Sequence, residues 1–174
     1  MLFARTVPFV LFLFAVNVAR AGWVTVNDDG DDGPGDCLTV CTLRDAIATA
    51  RDEDIVELYA PGAVLDPAKG PIVIDRPITV AGASRETTTI SGAGGTRIFE
   101  IISGTTVLHV FISGVTFADG AAMAVGGAIY VDLGSRLWLD DVAFRDNVAR
   151  AADGGDAGLA GGAGADGGGA GGTN

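Results

Sequence analysis

Short apolar runs separated by turn residues make up most of the chain from Ile55 onward. The runs are rich in β-branched and aromatic side chains, and each ends at Gly, Pro, Asn or Asp. Apolar and polar positions that alternate with a period of two are typical of short β-strands. The sequence therefore predicts closely spaced strands in the runs "DIVELYAPG", "PIVIDRPITVAG", "TTTISGAGG", "RIFEIISG", "TTVLHVFISGVTFADG", "GGAIYVDLG" and "SRLWLDDVAFRDN".

Two of these runs repeat each other. "FISGVTFADG" (111–120) and "WLDDVAFRDN" (138–147) align without gaps at a spacing of 27 residues. The alignment pairs Phe111 with Trp138, Ile112 with Leu139, Val115 with Val142, Phe117 with Phe144 and Asp119 with Asp146. It also places Gly120 opposite Asn147, two residue types that tolerate a left-handed turn.

A strand-rich repeat of 20 to 30 residues is typical of a solenoid, in which each coil buries its apolar face against the next. Equivalent residues of successive coils would then stack in columns about 4.8 Å apart. An ordinary antiparallel sandwich would explain the short strands but not the repeated register. We therefore predict an all-β chain that forms a right-handed parallel β-helix, with coils over residues 55–149.

One segment near the start has a helical period instead. In "TLRDAIATARD" one face carries Leu43, Ala46, Ile47 and Ala50. Thr42 is suited to be the N-cap, with Asp45 as a short form of the capping-box acid. We predict an amphipathic helix of about ten residues that covers the open first coil, where strand edges and core side chains would otherwise be exposed.

Two cysteines, Cys37 and Cys41, lie just before this helix. A disulfide is the favoured interpretation, because no third thiol competes for either cysteine. A zinc site would require four ligands, and these two thiols with the single His109 cannot supply them. Residues 22–54 are thus expected to form an N-terminal cap that contains a disulfide loop and the helix.

The first 21 residues have the layout of a secretory signal peptide. Arg5 precedes about a dozen apolar residues, and Ala19-Arg20-Ala21 ends the segment, with cleavage expected before Gly22. A signal anchor is the alternative, but the apolar core is shorter than the roughly 20 residues that span a bilayer. The mature chain is therefore expected to be secreted or cell-surface, with no transmembrane segment.

The mature chain would be strongly acidic. Removal of the signal peptide leaves nine basic against 22 acidic residues, a net charge of −13. Such a charge repels phosphate backbones and argues against nucleic-acid partners.

The last residues, 150–174, are nearly all Gly, Ala and Asp. They contain too little apolar surface to offset the entropy of ordering, so we expect a flexible tail. The sequence stops inside this stretch, where another coil would be expected, which suggests a truncated product.

Calcium is the only cofactor that the sequence suggests, and only weakly. In the acidic loop "NDDGDDGPGD" (27–36), neither register that starts at Asn27 or Asp28 gives the EF-hand pattern. A solvated turn is the alternative there. "GGAGADGGG" (161–169) matches part of the calcium β-roll nonapeptide, but it occurs once and has Gly168 where a large apolar residue is required.

At the level of motifs, "CTLRDAI" resembles the "CSLREAI" signature that opens a class of exported bacterial β-helix proteins. Identical positions are Cys41, Leu43, Arg44, Ala46 and Ile47, and close replacements are Thr42 and Asp45. Further along, "GGAI" (Gly126, Gly127, Ala128, Ile129) and "FRDN" (Phe144 to Asn147) resemble the two short repeats of polymorphic outer membrane proteins. "FADG" (Phe117 to Gly120) is a degenerate copy of the second repeat.

This resemblance covers residues 25 to 150 and implies a pectin-lyase-like β-helix displayed at, or released from, the cell surface. It implies a non-catalytic adhesion or interaction module with a cell-surface or matrix ligand, for which a glycan is one candidate. The alternative is a polysaccharide lyase or glycoside hydrolase that acts on acidic polysaccharide, because this fold hosts such enzymes. Its candidate catalytic residues are Asp119 and Asp146, with Arg145 or Arg97 as the base.

Overall fold

The structure, a computed structural model, describes residues 21–59 and 61–150. Most of the predicted signal peptide and nearly all of the Gly/Ala-rich tail, including the β-roll match, lie outside this part. Within it there are one α-helix and twelve β-strands. The helix is α1 (Leu43–Thr49), and the strands are β1 (Trp23–Val26), β2 (Ile55–Leu58), β3 (Gly62–Val64), β4 (Ile72–Ile74), β5 (Ile78–Ala81), β6 (Thr89–Ser91), β7 (Phe99–Ile101), β8 (Leu108–Ala118), β9 (Ala121–Met123), β10 (Ile129–Val131), β11 (Ser135–Arg145) and β12 (Val148–Arg150).

All of the strand pairings are parallel. The largest sheet has the strand order β1-β2-β5-β8-β6-β3, and β11 also pairs with β8. Two smaller sheets consist of β10-β7-β4 and β12-β9. Because each strand pairs with its equivalent one coil away, the chain winds into a parallel β-helix of about four turns. The predicted fold class is confirmed.

The 27-residue register is confirmed along β8 and β11. Val115 pairs with Val142, and Phe117 pairs with Phe144. The rings of Phe117 and Phe144 stack with their centroids 5.4 Å apart, and Phe99 packs edge-on against Phe117 at 5.6 Å. Phe117 and Phe144 therefore follow Ile90 in one column of the register, and Phe99 packs against this column from another sheet.

Helix α1 covers the first coils, as predicted. Its predicted apolar face is fully buried in the core and packs against β1, β2 and β4; this face consists of Leu43, Ala46, Ile47 and Ala50. The helix is shorter than expected, because it ends at Thr49 and the next residue has extended backbone. Strand β1, which the sequence placed in the cap, pairs with β2 and so extends the sheet by one strand.

The left-handed turn positions differ from the sequence prediction. Positive φ values occur at Asp119 (52°) and Asp146 (55°), one residue before Gly120 and Asn147. The Asn147 side chain instead bridges two coils, since its Oδ1 accepts from the Gly120 amide at 2.8 Å. Its Nδ2 donates to the Phe117 carbonyl at 2.9 Å.

Candidate functional site

The residues of the "CTLRDAI" segment build the cap. Cys41 is joined to Cys37 by the predicted disulfide. The Thr42 Oγ1 accepts a hydrogen bond from the Asp45 amide at 3.2 Å, which makes Thr42 the N-cap. The Asp45 carboxylate does not complete a capping box, since its buried Oδ2 has no hydrogen-bond partner among the described residues. The segment thus forms the cap through the backbone of the helix, through the buried apolar face and through the side chain of one arginine.

That arginine, Arg44, connects three parts of the chain. Its guanidinium donates two hydrogen bonds of 2.8 Å to the Asp31 carboxylate, which is only 3% exposed. It also donates to the carbonyls of Gly70 and Pro71, at 2.9 and 3.2 Å. A planar guanidinium suits such a multiple contact better than an ammonium would. Arg44 therefore fastens the helix to the acidic loop and to the turn before β4.

The acidic loop is engaged by cations of the chain itself. Asp31 binds Arg44, and Asp32 pairs with Lys69. The hydrogen bond from Lys69 lowers the pKa of Asp32, and the same contact raises the pKa of Lys69. Two of the carboxylates that a calcium site would need are thus already paired. Among residues 21–59 and 61–150, no group of three or more His, Cys, Asp or Glu side chains is arranged to hold a metal ion.

The "GGAI" motif is a close crossing between coils. Gly126 has a positive φ of 61°, which an L side chain rarely adopts. At Gly127 a Cβ would lie 2.6 Å from the Val148 carbonyl oxygen of the next coil. Ala128 is buried, and Ile129 pairs with Phe99. Each position of the motif therefore has a structural reason.

The guanidinium group of Arg97, one of the two candidate bases, is fully occupied by contacts within the protein. Its guanidinium donates to the carbonyls of Gly126 and Val125 at 2.8 and 2.7 Å, and it pairs with Glu100. It also lies over the Tyr130 ring, with its carbon 5.2 Å from the centroid. Two of its nitrogens therefore fix the turn that begins the "GGAI" motif, and the third is paired with Glu100.

The proposed catalytic carboxylates occupy neighbouring turns. Asp119 and Asp146 directly follow the last residues paired between β8 and β11, so they lie on adjacent coils as predicted. Asp119 contacts the Ser91 hydroxyl at 3.4 Å, and Asp146 lies 3.8 Å from the Arg145 guanidinium. The Arg145 and Asp146 side chains are largely exposed, and Asp146 lines an open depression of about 460 Å³.

The most distinctive surface of the described chain lies elsewhere. It is a line of outward-facing side chains on the largest sheet. The strand register places one residue from each of five strands in this line, which we call the outer column; it consists of Trp23, Ile55, Thr79, Phe111 and Trp138. The residues before and after Phe111, Val110 and Ile112, are buried, which shows that the column faces outward.

Aromatic rings dominate the outer column. Phe111 and Trp138 stack with centroids 4.7 Å apart and planes 11° from parallel, and both remain partly exposed, at 47% and 40%. The His109 ring lies 5.1 Å from Trp138. At the other end of the column, Trp23 is 65% exposed. The result is an apolar strip along the solenoid axis in which three aromatic rings remain partly exposed.

Polar groups flank the outer column. The next outward-facing line is formed by Thr25, Glu57, Ala81, Ser113 and Asp140. On the other side, Arg136 pairs with His109. A shallow depression of about 470 Å³ lies at the Phe111–Trp138 end, lined by both rings and by Ser113 and Asp140. Hydrogen-bonding groups therefore border the apolar strip.

Sequence reasoning missed this surface, although it had aligned Phe111 with Trp138. The available signal was that the paired aromatic residues alternate with apolar positions and therefore point outward.

No protein-family model, curated protein or solved structure matches the chain. No helix among the described residues is long and apolar enough to cross a membrane.

Proposed function

We propose that this chain is an exported β-helix protein that acts as a non-catalytic adhesion module and binds saccharide chains on its outer column. The observation that carries the proposal is the exposed, nearly parallel stack of Phe111 and Trp138 in line with Trp23. The motif resemblance to exported β-helix proteins supports the same role and location.

The outer column suits an extended ligand. Its five positions lie on consecutive strands, so they span roughly 19 Å at about 4.8 Å per strand. Flat aromatic faces offer apolar contact area at a small cost in side-chain entropy. A sugar ring can place its C–H groups against the exposed parts of these rings while its hydroxyl groups reach polar side chains at the border, such as Ser113 and Asp140.

Charge favours a neutral or basic saccharide over an acidic one. Glu57 and Asp140 border the column, and the mature chain carries a net charge of −13 if residues 1–21 are removed. These carboxylates would repel uronic acids. An enzyme acting on acidic polysaccharide through Asp119, Asp146 and Arg145 is the alternative, and it requires the opposite preference.

Binding to immobilised polysaccharides tests the proposal. We expect the chain to be retained by a neutral β-glucan or by chitin, and Phe111→Ala or Trp138→Ala to weaken binding about fivefold, since aromatic contacts contribute about 1 kcal/mol each. Tyr59→Ala removes an exposed aromatic side chain outside the column and serves as the matched control. It should leave binding unchanged.

Two outcomes would contradict this function. One is equal retention of the wild-type protein and both column variants on every polysaccharide. The other is release of unsaturated or reducing sugars from polygalacturonate that disappears in Asp119→Ala and Asp146→Ala, which would favour the enzyme.

A further inference from the structure

The backbone of Gly22 is held in place at both of its polar atoms. Its amide nitrogen lies 2.6 Å from the Asp54 Oδ1. Its carbonyl oxygen accepts from the Ile55 amide at 2.9 Å, which continues the pairing of β1 with β2. Gly22 therefore directly precedes β1, and its nitrogen is directed at a carboxylate.

That carboxylate is buried without a cationic partner in the described part of the chain. Asp54 is 6% exposed, and its Oδ2 accepts from the Arg51 amide at 2.8 Å. None of the ion pairs among residues 21–59 and 61–150 includes Asp54. Because a buried carboxylate is costly unless it is paired and hydrogen-bonded, a positive charge at Gly22 would stabilise the fold.

Cleavage of the leader would supply that charge. The small residues Ala19 and Ala21 mark the bond before Gly22 as the expected processing site. When a leader peptidase hydrolyses this bond, water contributes a hydroxyl group to the Ala21 carbonyl carbon and a proton to the Gly22 nitrogen. The new amine takes up a further proton from solvent at neutral pH, because an α-amino group has a pKa of about 7.7 to 8.0.

We propose that processing before Gly22 creates an ammonium group that forms an ion pair with Asp54 and locks the cap. This inference rests on the export included in the proposed function. Glycine is suited to the position, because a Cβ there would lie 2.9 Å from the Asp54 Oδ1 and would push the carboxylate away. The precursor keeps the amide hydrogen bond but lacks the charge, so the processed chain has the more stable cap.

The test uses four proteins. Two forms of the folded chain are compared, and each form is made with the wild-type Asp54 and with Asp54→Asn. One form begins at Gly22, and the other carries a Gly-Ser-Ala extension that keeps the amide but moves the ammonium away. We expect Asp54→Asn to lower the unfolding midpoint by about 4 °C more in the form that begins at Gly22. Equal shifts in the two forms would overturn the proposal.

The pH dependence gives a readout that survives if Asp54→Asn does not fold. Pairing raises the pKa of the ammonium in the folded state, so its stabilisation is present below about pH 8 and is lost as the pH rises through the folded-state pKa. The form that begins at Gly22 should therefore lose its advantage over the extended form between about pH 8 and 10. A constant difference between the two forms would contradict the ion pair.

Mass spectrometry of the exported protein separates this inference from the proposed function. A mature chain that starts at Gly22 is expected, and a start at another residue would overturn the ion pair. Saccharide binding by the outer column would be unaffected by either result.

Discussion

Single arginine side chains fix the positions of whole turns in this molecule. Arg44 and Arg97 each donate to two backbone carbonyls and pair with one carboxylate. Arg44 lies on α1 and Arg97 lies just before β7, and the carbonyls that accept from them belong to turns outside the strands. Conversion of either arginine to lysine would lose the geometry of these contacts while keeping the charge.

Loss of the Arg44 side chain should be severe, because it leaves Asp31 buried and unpaired. We expect Arg44→Leu to lower the free energy of unfolding by about 3 kcal/mol. Chemical denaturation with far-UV circular dichroism measures this change. The control Arg145→Leu, at an exposed position on β11, should change it by less than about 0.5 kcal/mol.

The double variant Arg44→Leu/Asp31→Leu tests the reason for that loss. Removal of both charges should restore a large part of the stability, since no buried charge then remains. If Arg44→Leu lowers the free energy of unfolding no more than Arg145→Leu does, Arg44 does not hold the helix to the acidic loop and to the turn before β4.

At the scale of elements, the sequence predicted the type and the buried face of α1 but not its length. The period of the apolar residues identified the face, and Thr42 identified the start. The end was missed because it depends on tertiary contacts: the Arg51 amide bonds to the Asp54 side chain instead of continuing the helix. Such a contact leaves no periodic signal.

The lack of a periodic signal in the sequence also explains why the outer column was not predicted. Its members follow one another at spacings of 32, 24, 32 and 27 residues, because the turns between strands differ in length. Only the last interval matches the repeat that the sequence displays. The alignment of Phe111 with Trp138 was therefore predictable, whereas the positions of Trp23, Ile55 and Thr79 in the column follow only from the strand register.

The N-cap of α1 gives a prediction at this scale. Thr42→Ala removes the oxygen that accepts from the Asp45 amide, and we expect a loss of about 1 kcal/mol. Thermal unfolding should show a decrease of about 3 °C. The control Thr105→Ala removes a hydroxyl group from an exposed loop and should leave the midpoint unchanged. Equal midpoints for the two variants would contradict the capping role.

The described part of the chain is stabilised by contacts between successive coils, so the buried residues of its core are arranged in columns. Phe117 is completely buried, with Ile90 and Phe144 on either side of it in the register and Phe99 edge-on against it, whereas Phe144 is 52% exposed. Position in the stack, and not residue type, therefore determines how much each ring contributes.

Alanine substitutions in this inner column test the stacking. Phe117→Ala should cost about 4 kcal/mol, because it leaves a cavity that the neighbouring coils cannot fill. Phe144→Ala deletes the same ring at a half-exposed site and should cost less than half as much. Urea unfolding of both variants measures the difference, and similar losses would contradict the stacked arrangement.

The straight alignment of the outer column also has a consequence for how such a protein could evolve. Duplication of one 27-residue unit would insert a coil and add one position to the strip, which would lengthen it by about 4.8 Å without disturbing the existing contacts. The reach of the surface along a polymeric ligand would then increase in fixed increments. Avidity could be adjusted by copy number alone, while the chemistry of each position was conserved.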